Sequence, residues 1–249
     1  MPAVFVHGNP ESAAIWELLI PELDRQDVIT LSPPGFGAPR PPGWQATRQE
    51  YCDWLITALE GIGEPVDLVG HDWGGGHVAG VALSRPDLLR SWAVDLAGVL
   101  HPDYVWHEAA QGWQTPDVGE AMVAEMLGAP LADRIAAYVE IGMPEAIAAK
   151  VAAAGNEEMG RCILGLYRDT VQPAMRELGS DLAVMRQRPG LVIVAEDDGY
   201  VGTADMARDS ASRAGASVSL LPGVGHWWML QNPPLGAAAL NSFWAGLDQ

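Results

Sequence analysis

The chain has 249 residues, 32 of them acidic and 14 basic, for a net charge of −18. That length holds one large core with room for an insertion, and two independent domains are not expected. So acidic a balance repels phosphate backbones and anionic lipid surfaces, which argues against a nucleic-acid or membrane-surface partner, and no apolar run reaches the 18 or so residues of a membrane span.

Residues 3–6 read as a buried strand that starts at once, without a signal peptide, and runs into His7-Gly8-Asn9-Pro10. That loop can aim backbone N–H groups at a developing negative charge, and it also has the make-up of an ordinary Gly-Pro turn. Residues 12–23 carry helical spacing, 28–31 a strand, 49–59 a helix and 66–69 a second β-branched run. Next comes Gly70-His71-Asp72-Trp73-Gly74, followed by a small, apolar, helically spaced stretch to Ser84. This is the strand, sharp turn and helix of a nucleophile elbow, with aspartate where serine is usual.

Residues 91–96 read as another strand. From His101 to about Arg188 β-runs vanish, alanine, glutamate and methionine rise, and six of the nine methionines fall there, at 122, 126, 143, 159, 175 and 185. Flexible thioethers suit an adaptable apolar pocket as well as helix packing. Residues 190–195 form a further apolar run, ending at Glu196-Asp197-Asp198; 206–214 are helical, 218–221 a strand leading to Gly225-His226, and 234–247 helical. Strands alternating with helices predict a parallel sheet, here of about six strands. Cys52 and Cys162 lie far apart in segments read as helical, which favours a reducing, cytoplasmic setting over a disulfide framework.

The H-G-N-P loop, the G-H-D-W-G elbow and the late G-H, in that order over nearly the whole chain, resemble the α/β-hydrolases with an aspartate nucleophile, namely epoxide hydrolases and haloalkane dehalogenases. The resemblance implies an α/β-hydrolase fold: a mostly parallel sheet with an inserted helical cap over Asp72. The core would be residues 1–100 and 189–249, the cap 101–188. The family's sheet begins with an antiparallel pair ahead of the H-G-x-P strand, for which there is no room here, so the sheet is expected to be shortened at its N-terminal side.

Asp72 would be the nucleophile. A carboxylate with an ordinary pKa near 3.9 is ionised at neutral pH and attacks an sp³ carbon without a base. The alkyl ester so formed must then be hydrolysed by a water that His226 activates with the help of a carboxylate. The plainer roles are a helix N-cap for Asp72 and a core histidine beside Trp227 and Trp228 for His226. Asp198, three residues past its strand, matches the family's G-x-x-D acid, with Ala195 in place of the glycine; Asp95 is the alternative acid, as in some dehalogenases. Asp197 reads as a solvated loop carboxylate.

The leaving group divides the two activities. An epoxide needs a proton donor for its alkoxide, and Tyr167, in Leu166-Tyr167-Arg168, resembles one of the lid tyrosines of epoxide hydrolases, with Tyr104 or else Tyr138 as the second. A halide needs N–H donors, and Asn9 and Trp73 match the pair that some dehalogenases use. Epoxide opening to a diol is the first reading and halide displacement the alternative, each on a small, mostly apolar electrophile. A hydrolase-fold binding protein without catalysis is a third possibility, against which the set Asp72, Asp198 and His226 argues. The spacings His71 to His77 and His101 to His107 are poor for a metal, no nucleotide-binding glycine loop is present, and no cofactor is expected.

Overall fold

The structure, a computed structural model, describes residues 1–247. Its single sheet is built from β1 (Ala3–Val6), β2 (Val28–Leu31), β3 (Val66–Gly70), β4 (Leu89–Val94), β5 (Gly190–Ala195) and β6 (Ser217–Leu221). The order across the sheet is β2-β1-β3-β4-β5-β6, and all five neighbouring pairs are parallel. The expected mostly parallel sheet is thus wholly parallel, and its six strands match the number read from the sequence.

A sheet covered on both faces needs apolar residues at odd and even positions alike, and the central strands supply them. Val4 and Val6 enter one hydrophobic cluster while Ala3 and Phe5 enter the other, on the opposite face. Val192 and Val194 against Leu191 and Ile193 repeat the division in β5. The strands that supply both faces are the inner ones, and β6, at an edge, leaves Val218 and Leu220 exposed.

The chain goes from β1 outward to β2, then returns through α1 (Arg48–Ile62) to the other side of β1. Thr47 caps α1 through its side chain and Glu50 completes a capping box, while Gly63 ends it at φ 81°. Because strand order reverses between β1 and β3, the loops leaving their C-terminal ends diverge and leave a crevice there. The first loop carries residues 7–11; the second is the turn into α2 (Trp73–Ser84).

Between β4 and β5 the described chain makes no strand, only helices: α3 (Glu108–Gln114), α4 (Val118–Gly128), α5 (Leu131–Glu140), α6 (Glu145–Ala154), α7 (Glu157–Asp169) and α8 (Ala174–Leu178), flanked by 3-10 segments at Ala97–Leu100 and Gly179–Gln187. Then α9 (Ala204–Ala214) joins β5 to β6, and α10 (Trp228–Gln231) and α11 (Pro233–Leu247) close the described chain. Cys52 and Cys162 are buried, free thiols. Among the described residues no helix is long and apolar enough to cross a membrane.

Two local expectations are corrected. Residues 12–23 form two 3-10 segments, Ala13–Trp16 and Ile20–Glu22, rather than one helix; Pro21 lacks the N–H that a continuing helix would need. Strand β4 ends at Val94, so Asp95 and Leu96 lie past the ladder, in the turn above the strand end.

Candidate active site

Asp72 sits between β3 and α2 at φ 50°, ψ −128°, a conformation side-chain-bearing residues rarely adopt. The elbow tolerates it because its neighbours are small: a Cβ on Gly74 would run into the Val6 carbonyl, and one on Gly8 into the Asp72 carboxylate. Asp72 precedes α2, yet its side chain makes no capping bond. Its Oδ1 accepts the Asn9 backbone N–H at 3.0 Å, and its Oδ2 lies 3.8 Å from His226 Nε2. Burial pushes its pKa up to about 6, against a smaller opposing pull from His226, so this carboxylate departs from the ordinary value assumed for it from sequence.

His226, buried, follows β6 and carries Asp198 on its other nitrogen, with Nδ1 2.8 Å from Asp198 Oδ2. The second Asp198 oxygen takes the Tyr200 backbone N–H at 2.8 Å. Burial alone would lower the His226 pKa, but the Asp198 charge and hydrogen bond raise it; the same contact holds Asp198 below the usual carboxylate range in spite of burial. Of the two acids read from sequence, Asp198 is the one on His226. Asp95 lies beneath the elbow instead, where it accepts the Asp72 backbone N–H at 3.0 Å, His71 Nδ1 at 2.6 Å and the Trp228 indole at 2.8 Å.

His71 is fully buried between Asp95 and Glu11, whose Oε1 is 3.2 Å from His71 Nε2. Burial opposes its charge, and the two carboxylates outweigh burial and lift its pKa well above the ordinary value. In return, and again against burial, His71 holds Glu11 down at about 2. Glu11 also accepts the Gly8 N–H and the Trp227 indole. Its three partners are therefore the chain neighbours of Asn9, Asp72 and His226, so one buried carboxylate ties together the three loops that carry them.

A cavity of about 520 Å³ opens over Asp72 and His226. Asn9, Tyr138, Tyr167 and Tyr200 line it, with apolar walls from α4 to α6 that include Met122, Met126 and Val151. Both side-chain polar atoms of Asn9 are buried without a partner. Tyr167 is 2 % exposed and packs edge-on against Trp73, with ring centroids 5.5 Å apart. Burial first, then the Asp72 charge, raise the Tyr167 pKa well above 10, so it remains a phenol. Two other tyrosines donate to carbonyls: Tyr104, which lines a smaller pocket with Asp72 and Tyr167, to Tyr200 at 2.7 Å, and Tyr138 to Pro10 at 2.8 Å. Tyr104, expected as a second proton donor, has its O–H on the Tyr200 carbonyl in this structure.

Sequence reading missed Glu11, Tyr200 and His107. The Tyr200 ring stands 5.0 Å from His226, and His107 lines the same cavity. Only Tyr200 had a signal, two residues after Asp198. Glu11, His71 and His226 bring possible ligand atoms within 4.8 Å of one another. Metal ligation needs a neutral imidazole, whereas both His71 nitrogens are bonded to carboxylates and its pKa is raised, so this donor set suits an imidazolium rather than a metal.

Comparison with known proteins agrees with this architecture. The chain is 34% identical over 110 residues to an (E)-2-((N-methylformamido)methylene)succinate hydrolase of Acinetobacter baylyi, covering 43% of this chain and 41% of that protein. It is 26% identical to a 2-hydroxymuconate semialdehyde hydrolase of a Pseudomonas species, over 99% of this chain and 88% of that one. A stretch of 98 residues, 37% of this chain and 18% of the other, is 34% identical to the bifunctional epoxide hydrolase 2 of Rattus norvegicus. The chain thus spans less than half the length of the first and third of these relatives. Among solved structures, a haloalkane dehalogenase loop variant from Bradyrhizobium elkanii superposes with TM-score 0.76 at 22% identity, over 99% of this chain and 90% of that one, a likeness of fold. The sequence pattern described as the alpha/beta hydrolase family matches residues 3–239, and with the parallel sheet and the elbow already in place, the chain belongs to that family and has the α/β-hydrolase fold.

Proposed function

We propose that this protein opens an epoxide to a diol through a covalent ester on Asp72, with residues 101–188 as the cap over it. The observation that carries the reading is Tyr167: a buried phenol that lines the cavity of Asp72 and keeps its proton there. In the first step an Asp72 oxygen attacks an epoxide carbon, the ring C–O bond breaks, and the alkoxide takes the Tyr167 proton. In the second step His226 removes a proton from water, which adds to the Asp72 carbonyl carbon; the Asn9 N–H, already on Oδ1, donates to the oxyanion. Collapse releases the diol and restores Asp72, and the proton taken up by His226 balances the one Tyr167 gave. Asp198 holds His226 with its Nε2 toward Asp72 and stabilises the imidazolium.

Halide displacement by the same nucleophile is favoured by one observation, the unpartnered Asn9 amide on the cavity. The two readings separate in single-turnover alkylation of Asp72. Under the epoxide reading Tyr167→Phe slows it by about 10²-fold, as removal of one transition-state donor does, and Asn9→Ala slows it less. A normal rate in Tyr167→Phe, with halide release that depends on Asn9, would reverse the assignment.

A further inference from the structure

The far wall of the cavity holds a cation that neither step uses. Arg134, on α5, is the only arginine or lysine among the described residues that line the cavity. With Ala137, Tyr138 and Ile141 it forms one helical face turned to that space. Tyr138, one helical turn from Arg134, reaches Pro10 beside Asn9.

Of the five guanidinium N–H donors, one is engaged, Nη1 on the Gly155 carbonyl at a long 3.3 Å. Nε is buried without a partner, and Nη2 makes no bond among the described residues. The unsatisfied donors are therefore Nε and Nη2, the parallel pair of the guanidinium that matches the two oxygens of a carboxylate. Glu125 and Asp133 also border the cavity, but both are exposed, so water and salt screen them, whereas the Arg134 edge is partly withdrawn from water. Between this edge and Asp72 the walls are apolar, and 520 Å³ exceeds what a small epoxide would fill.

We propose that Arg134 is a specificity-determining residue that binds the terminal carboxylate of an elongated substrate, an epoxide joined to an acid through an apolar chain. The electrophile rests on the function proposed above; the carboxylate site does not. Kinetically, 7,8-epoxyoctanoate is compared with its methyl ester. The acid should have the higher kcat/KM by about 10-fold or more, mainly through KM, and Arg134→Gln should bring the ratio near one. Arg134→Lys, which keeps the charge and loses the fork, should fall between.

Binding gives the arm that needs no turnover: by calorimetry the wild-type protein should bind octanoate at least about 10-fold more tightly than octanamide. Octanoate selectivity lost in Arg134→Gln, without opening of either epoxide, would retain the carboxylate site and refute the epoxide reading. Equal binding of octanoate and octanamide by the wild-type protein, or an acid preference that survives Arg134→Gln, would overturn the proposal.

Discussion

Asp67 and Asp72 stand at opposite ends of β3 and are treated in opposite ways. Asp67, fully buried, is neutralised by two guanidiniums: Arg25 Nη1 at 2.7 Å and the Arg90 pair Nε and Nη2 at 2.8 and 2.7 Å, with the Ser91 hydroxyl completing its shell. Asp72 receives one backbone N–H and has a histidine at 3.8 Å. No arginine or lysine pairs with it among the described residues. Around it the buried charges, Glu11, His71 and Asp95, bond to one another and to the backbone that carries the site. A carboxylate saturated with partners is inert, whereas one short of partners and of water keeps a raised pKa and a reactive lone pair. One end of the strand commits its charge to tying β3 to β4 and to the loop before β2; the other withholds compensation and is left able to react.

The comparison breaks most visibly at His226. His226→Gln should still be alkylated, while hydrolysis of the ester fails, so that mass spectrometry of the protein finds an adduct on Asp72 and turnover stops after one cycle. Efficient multiple turnover in this variant would place the water-activating group elsewhere.

A smaller, graded effect comes from pH. Alkylation needs ionised Asp72, whose pKa is raised to about 6, so its rate should fall about tenfold per pH unit below that value. Hydrolysis needs neutral His226, whose pKa is also raised. Esterification removes the Asp72 charge but not Asp198, the larger support, so the His226 pKa should stay elevated in the intermediate. Both limbs therefore lie on the acid side, and pre-steady-state mixing should show each step failing as pH falls. An alkylation rate constant flat from pH 7 to pH 4 would contradict the raised Asp72 value.

The smallest effect on chemistry is expected at the other end of the strand. Asp67→Asn leaves Arg25 and Arg90 short of a counter-charge and should destabilise the fold by about 3 kcal/mol, at the low end for a buried pair because both arginines are partly exposed. The kcat of the folded protein should stay within about twofold, since an interaction so remote from the reacting atoms is the same in ground and transition states. Denaturant melts read alongside single-turnover rates check this, and a large loss of kcat without loss of stability would dissolve the contrast between the two ends.

Contiguous requirements were the legible ones. The elbow and the H-G-N-P loop each put their chemistry into four or five successive residues, because strained turns and close backbone approach demand small residues on the spot. Asp198 could be placed by counting from the end of β5. Glu11 could not: its partners His71 and Trp227 are 60 and 216 residues away, and in sequence it is one more polar residue before a helical-looking stretch. That stretch itself misled, since the spacing of Ile15, Leu19 and Leu23 fits a helix that Pro21 does not allow. Tyr104 and Tyr167 looked alike as phenols early and late in one segment, and only the fold shows that the Tyr104 O–H is bonded to the Tyr200 carbonyl while Tyr167 lines the cavity of Asp72. Asp95 was read as the last part of a strand because hydrophobicity continues past the point where the ladder ends at Val94.

The central claim, a covalent ester on Asp72, is tested most directly by single turnover of an epoxide in heavy-oxygen water followed by mass analysis of the peptide that contains Asp72. Hydrolysis by attack on the ester carbonyl puts one labelled oxygen into the Asp72 carboxylate while the first diol formed carries none, and Asp72→Ala should form neither adduct nor diol. Label found in the diol from the first turnover, with Asp72 unlabelled, would mean that water attacks the substrate directly and would contradict the account.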